Sequence, residues 1–248
     1  MSTLLPPAKL VHKYWSNITS YEKIGQEFRK HLIELCETAP DHCVLDVGCG
    51  IGRIAVPLTE YLSSLGQYEG FDIIPIGIKW CSENITPRFP NFHFQVADVY
   101  NRKYNLRGKQ NAVDFVFPYG CEWFDSVILT SVFTHMRQNA VQRYLQEIAR
   151  CMRLGARCLI TWYVLNNDAR ELMKSKNSLF NFHHELEGLY TTNPDLPDAA
   201  IAFNQHDVHD MYEKSGLHIL DIHHGFWCDT DLKTERLSSQ DVIVAERK

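Results

Sequence analysis

The chain has no C-x-x-C pair, no apolar run near the roughly 20 residues that a bilayer-spanning helix needs, and no excess of positive charge. Its eight cysteines (Cys36, Cys43, Cys49, Cys81, Cys121, Cys151, Cys158 and Cys228) are scattered, several of them inside apolar runs. There a cysteine behaves as a small hydrophobe, which speaks against a zinc site or a disulfide framework. The net charge is −5, whereas a protein that grips a phosphate backbone shows a basic face. Nucleic acid is therefore disfavoured as a substrate, and the one basic cluster, Arg102, Lys103, Arg107 and Lys109, reads as a solvated loop. Met1–Leu10 lacks the charged-then-apolar pattern of a secretory signal. A cytoplasmic location without membrane attachment is the expectation. Repeats, low-complexity tracts and Gly/Ser/Pro linkers are also missing, so residues 1–248 read as a single domain.

What is present is alternation. Strand candidates are Cys43–Val47, Tyr68–Ile73, Phe92–Ala97, Phe124–Val132 and Ala156–Leu165, followed by Leu217–Trp227 and Asp241–Ala245. The first five are mostly continuous apolar runs, as in a parallel sheet covered on both faces. Between them, Gln138–Met152 carries Val141, Tyr144, Leu145, Ile148, Ala149 and Met152 at helical spacing. Strand–helix alternation predicts an open α/β sheet with right-handed crossovers. Two regions depart from it. Residues 1–40 read as an N-terminal helical cap, with Ile24, Phe28, Leu32 and Leu35 on one helix side. Residues 166–206 read as a lid-like insertion, too long to be bare coil.

The most informative stretch is Val44-Leu45-Asp46-Val47-Gly48-Cys49-Gly50-Ile51-Gly52-Arg53. An apolar strand ends near an acid, glycines at alternate positions let a ligand approach the backbone, and a helix from Arg53 to Leu62 is expected to aim its N–H groups at the turn. Gly50, Gly52 and Ala55 also fit the dinucleotide pattern G-x-G-x-x-A, so the turn by itself leaves NAD open. Asp72 and Asp98, however, close the next two strands, so that Asp46, Asp72 and Asp98 stand at the edge where open α/β sheets bind ligands. Three acids with little positive charge suit a cationic ligand without phosphates.

Here the chain resembles the class I S-adenosylmethionine-dependent methyltransferases. The resemblance runs from about Ile24 to Arg247 and rests on the glycine turn with Gly70-Phe71-Asp72, Ala97-Asp98-Val99, Phe124-Asp125-Ser126-Val127-Ile128-Leu129 and Tyr144-Leu145-Gln146-Glu147-Ile148-Ala149-Arg150. It implies a Rossmann-like fold with a seven-stranded, mostly parallel sheet, helices on both faces, and the last strand antiparallel between strands five and six. It further implies S-adenosyl-L-methionine as cofactor, held by Asp46, Gly48, Cys49, Gly50, Gly52, Asp72, Ile73, Asp98, Val99 and Thr130. Asp46 would lie near the ammonium, Asp72 would grip the ribose hydroxyls, and Asp98 with the Val99 backbone would read the adenine edge. The chain departs from the family's Lys/Arg-Pro-Gly-Gly before strand five, having Arg153-Leu154-Gly155-Ala156, which concerns a turn rather than the chemistry.

Methyl transfer leaves the protein mainly to orient its reactants in a dry pocket, with a base needed only where the nucleophile must lose a proton. After strand four comes Thr130-Ser131-Val132-Phe133-Thr134-His135-Met136. Metal-binding relatives have Glu-x-x-Glu-His there. The corresponding Ser131, Thr134 and His135 offer no carboxylate to a hard cation, so no metal is expected. His206-x-x-His209-Asp210 lacks a further ligand and is read as solvated. His135 is the candidate general base. Bulky groups in and beside the insertion suggest a roof over a small-molecule acceptor, with Tyr14, Tyr21, Phe133, Trp162, Tyr163, Phe182 and Trp227 as contact candidates. The expected reaction is metal-independent methylation of an oxygen or nitrogen. Protein or RNA methylation, an NAD-dependent oxidoreductase and an inactive cofactor-binding module stand as alternatives.

Overall fold

The structure is a computed structural model that describes residues 4–14, 17–102, 104–174, 178–229 and 236–248. Two helices come first, α1 (Ala8–Tyr14) and α2 (Ile18–Leu35), the second capped by Asn17, whose side chain accepts from the Ser20 N–H at 2.8 Å. Then follow β1 (Cys43–Val47), α3 (Ala55–Leu58), β2 (Gln67–Asp72), α4 (Pro75–Asn84), β3 (Phe92–Val96) and β4 (Phe124–Leu129). Next are α5 (Gln138–Cys151), β5 (Met152–Trp162), β6 (Val164–Leu165) and α6 (Asn167–Lys174). The remainder comprises β7 (His184–Leu186), β8 (Leu189–Thr191), β9 (Ile201–Asn204), α7 (Gln205–Lys214), β10 (Leu217–His223) and β11 (Asp241–Arg247).

Seven strands form the main sheet in the order β10-β11-β5-β4-β1-β2-β3. The pairs from β5 through to β3 are parallel, while β11 runs antiparallel between β5 and β10, as the resemblance implies. Successive residues of one strand serve opposite faces. Val44 packs with Phe28 and Leu32 of α2 and Cys81 of α4, whereas Leu45 and Val47 pack with Val141, Leu145 and Ile148 of α5. Both faces are covered, which is why these strands read as unbroken apolar runs.

Several boundaries differ from the sequence reading. The helix expected over Arg53–Leu62 is regular only over the four residues of α3. Pro57 sits inside it and has no N–H to give the Arg53 carbonyl, so the flanking turns stay irregular. A helix that short supplies little dipole to the glycine turn. The strand expected to reach Val132 ends at Leu129, because Ser131 turns left-handed with φ +58°. The run Ala156–Leu165 breaks at Tyr163 into β5 and β6, which belong to different sheets. The insertion is more structured than expected: α6 and β7–β9 fill it, and β6-β9-β8-β7 make a second, four-stranded sheet. Trp227, expected within a strand, lies in a turn after β10.

Candidate functional site

The carboxyl ends of β1, β2 and β4 open into one cavity of about 420 Å³. Its floor is the glycine turn. Gly48, Gly50 and Gly52 hold φ of +83°, +58° and +78°, conformations that a side chain makes costly. The three glycines are not equivalent. A Cβ at Gly48 would collide with Val132, and one at Gly52 would press Cys81 and Ile85 at 3.0 Å, so both serve packing. A Cβ at Gly50 would meet only Asp72 Oδ2, at 4.0 Å, and would otherwise stand in the cavity.

Asp72 pins this turn. Its Oδ2 accepts from the Gly50 N–H and its Oδ1 from the Ile74 N–H, both at 2.8 Å. Each oxygen keeps a lone pair for a further donor. Burial pushes its carboxyl up to about 6, with the backbone N–H groups of Gly50, Ile74 and Ile73 pulling the other way. Asp46 is deeper still. Tyr68 donates to its Oδ2 at 2.6 Å, but buried Oδ1 has no hydrogen-bond partner among the described residues. Burial raises it to about 7 against the opposing pull of Tyr68 and Arg53, while Asp72 adds to the rise. A buried, unsatisfied carboxyl oxygen is costly, and a ligand ammonium would satisfy it.

Half-buried Arg53 faces the same space, donating from Nη2 to Thr130 Oγ1 at 3.1 Å. Burial lowers its pKa to about 10, opposed by Asp46 and by Tyr21. Acid and cation on one wall match the ammonium and carboxylate of an amino-acid moiety. Tyr21 closes the site from α2: its hydroxyl donates to the Ile51 carbonyl at 2.9 Å, and Val11 of α1 packs against both. These features fit the implied cofactor: an orphaned carboxyl oxygen, a glycine-lined approach, and an acid presenting two oxygens to a diol.

Of the cofactor candidates, Asp46, Gly48, Cys49, Gly50, Asp72, Ile73, Val99 and Thr130 line the cavity. Gly52 and Asp98 are not on its wall. Asp98 instead faces the loop that follows it: its carbonyl accepts from the Lys109 and Gln110 N–H groups, and Oδ1 accepts from Lys109 at 3.3 Å. His135 lies on the wall, its Nδ1 3.0 Å from the Asp198 carbonyl of the insertion. A carbonyl only accepts, so Nδ1 carries a proton.

Most aromatic candidates are core residues. Tyr21 lines the cavity, but Phe133, Trp162, Tyr163, Phe182 and Trp227 are buried away from it. Their polar tips are satisfied internally: Trp162 Nε1–H donates to Tyr212 Oη at 3.0 Å and Trp227 Nε1–H to Asp241 Oδ2 at 2.8 Å. Phe133 meets Trp162, and Phe182 meets Trp227, edge to face. Bulk and apolarity in the sequence do not say which void a side chain surrounds. Tyr14 ends α1, with its side chain outside the described residues. The residues missed on the wall include Arg53, Tyr100, Tyr104, Ser131 and Gln240. Among the described residues no three His, Cys, Asp or Glu side chains converge as a metal set, and no helix is long and apolar enough to cross a membrane.

A family model described as a methyltransferase domain matches residues 39–216. A candidate methyltransferase of Invertebrate iridescent virus 6 is 34% identical over 101 residues, 36% of this chain and 35% of that protein. Aklanonic acid methyltransferase of Streptomyces is 32% identical over 86 residues, covering 33% of this chain and 39% of that protein. The matched segment thus spans little more than a third of either curated relative. Among solved structures, magnesium protoporphyrin IX methyltransferase of Synechocystis with S-adenosylhomocysteine bound superposes with a TM-score of 0.57 at 14% identity, over 97% of this chain and 92% of that one.

Proposed function

Because this chain belongs to the class I S-adenosylmethionine-dependent methyltransferases, we propose that it methylates an oxygen or nitrogen of a small organic acceptor without a metal. The observation that carries the acceptor class is the cavity itself. The wall after β4, with His135, Met136 and Val132, shares one confined space with the glycine turn. A space of about 420 Å³ suits a small acceptor beside the cofactor better than a macromolecular surface does. Net charge of −5 adds to the case against nucleic acid. Two similar proteins are named for non-macromolecular acceptors, aklanonic acid and magnesium protoporphyrin IX.

When bound, S-adenosyl-L-methionine would supply an electrophilic methyl group on a sulfonium, with a neutral thioether as the leaving group. The chain's residues do the rest. Asp46 and Arg53 hold the amino-acid end, Asp72 the ribose, and Tyr21 and Ile51 shield the turn from water. His135, held by the insertion through Nδ1, is the residue on this wall that would take the acceptor's proton when the nucleophile is a hydroxyl. Eight free thiols, most of them buried, support a reducing, cytoplasmic setting.

The test is mass spectrometry of a whole-cell extract incubated with methyl-labelled cofactor and the protein, with the metabolite, protein and RNA fractions read separately. Label in small molecules is the expected outcome. Label confined to protein or RNA would replace the acceptor class, and absence of any labelled product would replace the enzyme by a binding module.

A further inference from the structure

Three polar side chains that the cofactor reading leaves without a task meet on the far side of the glycine turn. Asp72, Ile73, Val99 and Tyr100 follow β2 and β3, to one side of β1, whereas Ser131 follows β4 and Gln240 precedes β11, to the other. Ser131 holds φ +58°, a conformation that non-glycine residues adopt at a cost. Both of its polar groups are engaged there. Its N–H donates to Thr161 Oγ1 at 2.7 Å, and its hydroxyl donates to Gln240 Oε1 at 3.0 Å. Gln240 is 9% exposed, and its Nε2 donates in turn to Tyr163 Oη at 3.4 Å. Ser131 and Gln240 line the cavity, and Tyr163 braces them from behind.

The remaining valences define what this wall can bind. A carboxamide nitrogen has two N–H bonds, and Gln240 uses one, on Tyr163. The second has no protein acceptor among the described residues. Ser131 Oγ, having donated its proton, keeps lone pairs. One donor and one acceptor therefore stand side by side on a cavity wall otherwise formed here by Val132 and Met136. Backbone strain is commonly kept where a side chain must be aimed, and here it is combined with a residue brought from 109 positions away.

We propose that Ser131 and Gln240, braced by Tyr163, form the acceptor subsite and bind an uncharged group that both donates and accepts a hydrogen bond, a hydroxyl or a carboxamide. The subsite orients the acceptor and so selects it. A carboxylate has no hydrogen to give Ser131 Oγ, so it would satisfy only the Gln240 half of this wall. This rests on the methyltransferase reading above and names the acceptor chemistry within it.

The experiment compares wild type with Gln240→Met, which keeps length and removes both hydrogen-bonding groups, and with Ser131→Ala. S-adenosylhomocysteine titrated by calorimetry is the folding and cofactor control. The metabolite extract with methyl-labelled cofactor gives the products, and the main product's unmethylated form then serves as substrate. Expected are cofactor affinity within about twofold of wild type and kcat/KM lowered at least about tenfold, carried mainly by KM. The acceptor found should bear a hydroxyl or carboxamide. Should Gln240→Met fail to fold, Ser131→Ala carries the same expectation. Unchanged kcat/KM, an equal loss of cofactor affinity, or an acceptor without such a group would overturn the subsite while leaving the methyltransferase reading intact. A wild-type protein that labels nothing overturns both.

Discussion

Replacing Asp72 by alanine is the most direct test of how the cavity recognises its cofactor. The carboxylate has two separable tasks. It accepts two backbone N–H groups at 2.8 Å, one from the glycine turn, and it presents its remaining lone pairs to the cavity. Hydrogen bonds to a charged acceptor contribute about 1.5–3 kcal/mol each. Loss of two from a ribose diol, partly offset by water, should weaken S-adenosylhomocysteine by about 2–4 kcal/mol, or about 30- to 900-fold in Kd. The same change frees the Gly50 and Ile74 N–H groups, and a fall in Tm of a few degrees is expected for a domain of this size. Asn is no refuge, since its NH₂ would face one of those donors. Isothermal calorimetry with S-adenosylhomocysteine, paired with thermal unfolding of the ligand-free protein, separates the tasks. A Kd within about threefold of wild type alongside a lowered Tm would show that Asp72 only pins the turn and would refute its ribose role.

Other outcomes follow from the same geometry. Gly48→Ala should destabilise the fold by about 2 kcal/mol or more through the clash with Val132 and the positive φ. Gly50→Ala should cost about 1 kcal/mol of stability yet abolish most cofactor binding, because its methyl enters the cavity; thermal melts with and without S-adenosylhomocysteine distinguish the two. Burial raises Asp46 to about 7 and Asp72 to about 6. The ligand-free fold therefore holds protons that the unfolded chain, with carboxyl pKa near about 4, has released. Stability contributed by these two groups is present at about pH 4 and is lost as pH rises to about 7. Cofactor binding needs the ionised forms, so the thermal shift produced by S-adenosylhomocysteine should widen from about pH 5.5 to about pH 8; a shift independent of pH counts against both acids. His135→Ala should lower turnover about 10²–10⁴-fold on a hydroxyl acceptor with S-adenosylhomocysteine affinity spared, and an unaltered rate would leave His135 as a loop anchor.

Much of this site was legible in sequence because its parts are local. The β1 boundaries match the apolar run, and Asp46 and Asp72 reach the cavity because both end strands at the sheet's carboxyl edge. Asp98 shares their spacing but does not line the cavity, and its Oδ1 accepts from the Lys109 N–H of the loop after β3 at 3.3 Å. Spacing reports where a strand ends, not which way the next residue turns. Arg53 directly follows the last glycine of the turn, where no periodicity separates a cavity-facing cation from a solvated one. Gln240 carried none. It reaches Ser131 only because β11 lies between β5 and β10, a pairing no local pattern encodes. The small strands β6–β9 span only two to four residues each, too few for periodicity to appear. The aromatic residues were legible as buried, but burial alone does not distinguish a core from a roof.

The break at Tyr163 carries one more implication. A single polypeptide run leaves the main sheet through Trp162 and enters the small sheet at Val164, whose N–H is held by Asp241 at 2.7 Å. Asp241 also gathers the Gly225 N–H and the Trp227 indole, and it adjoins Gln240. The insertion thus touches the cavity at two points, through Asp241 beside Gln240 and through the Asp198 carbonyl on the His135 ring. Under the roles proposed for Gln240 and His135, acceptor choice and proton removal hang on one junction, so substitutions far out in the insertion should register first in turnover and only later in cofactor retention.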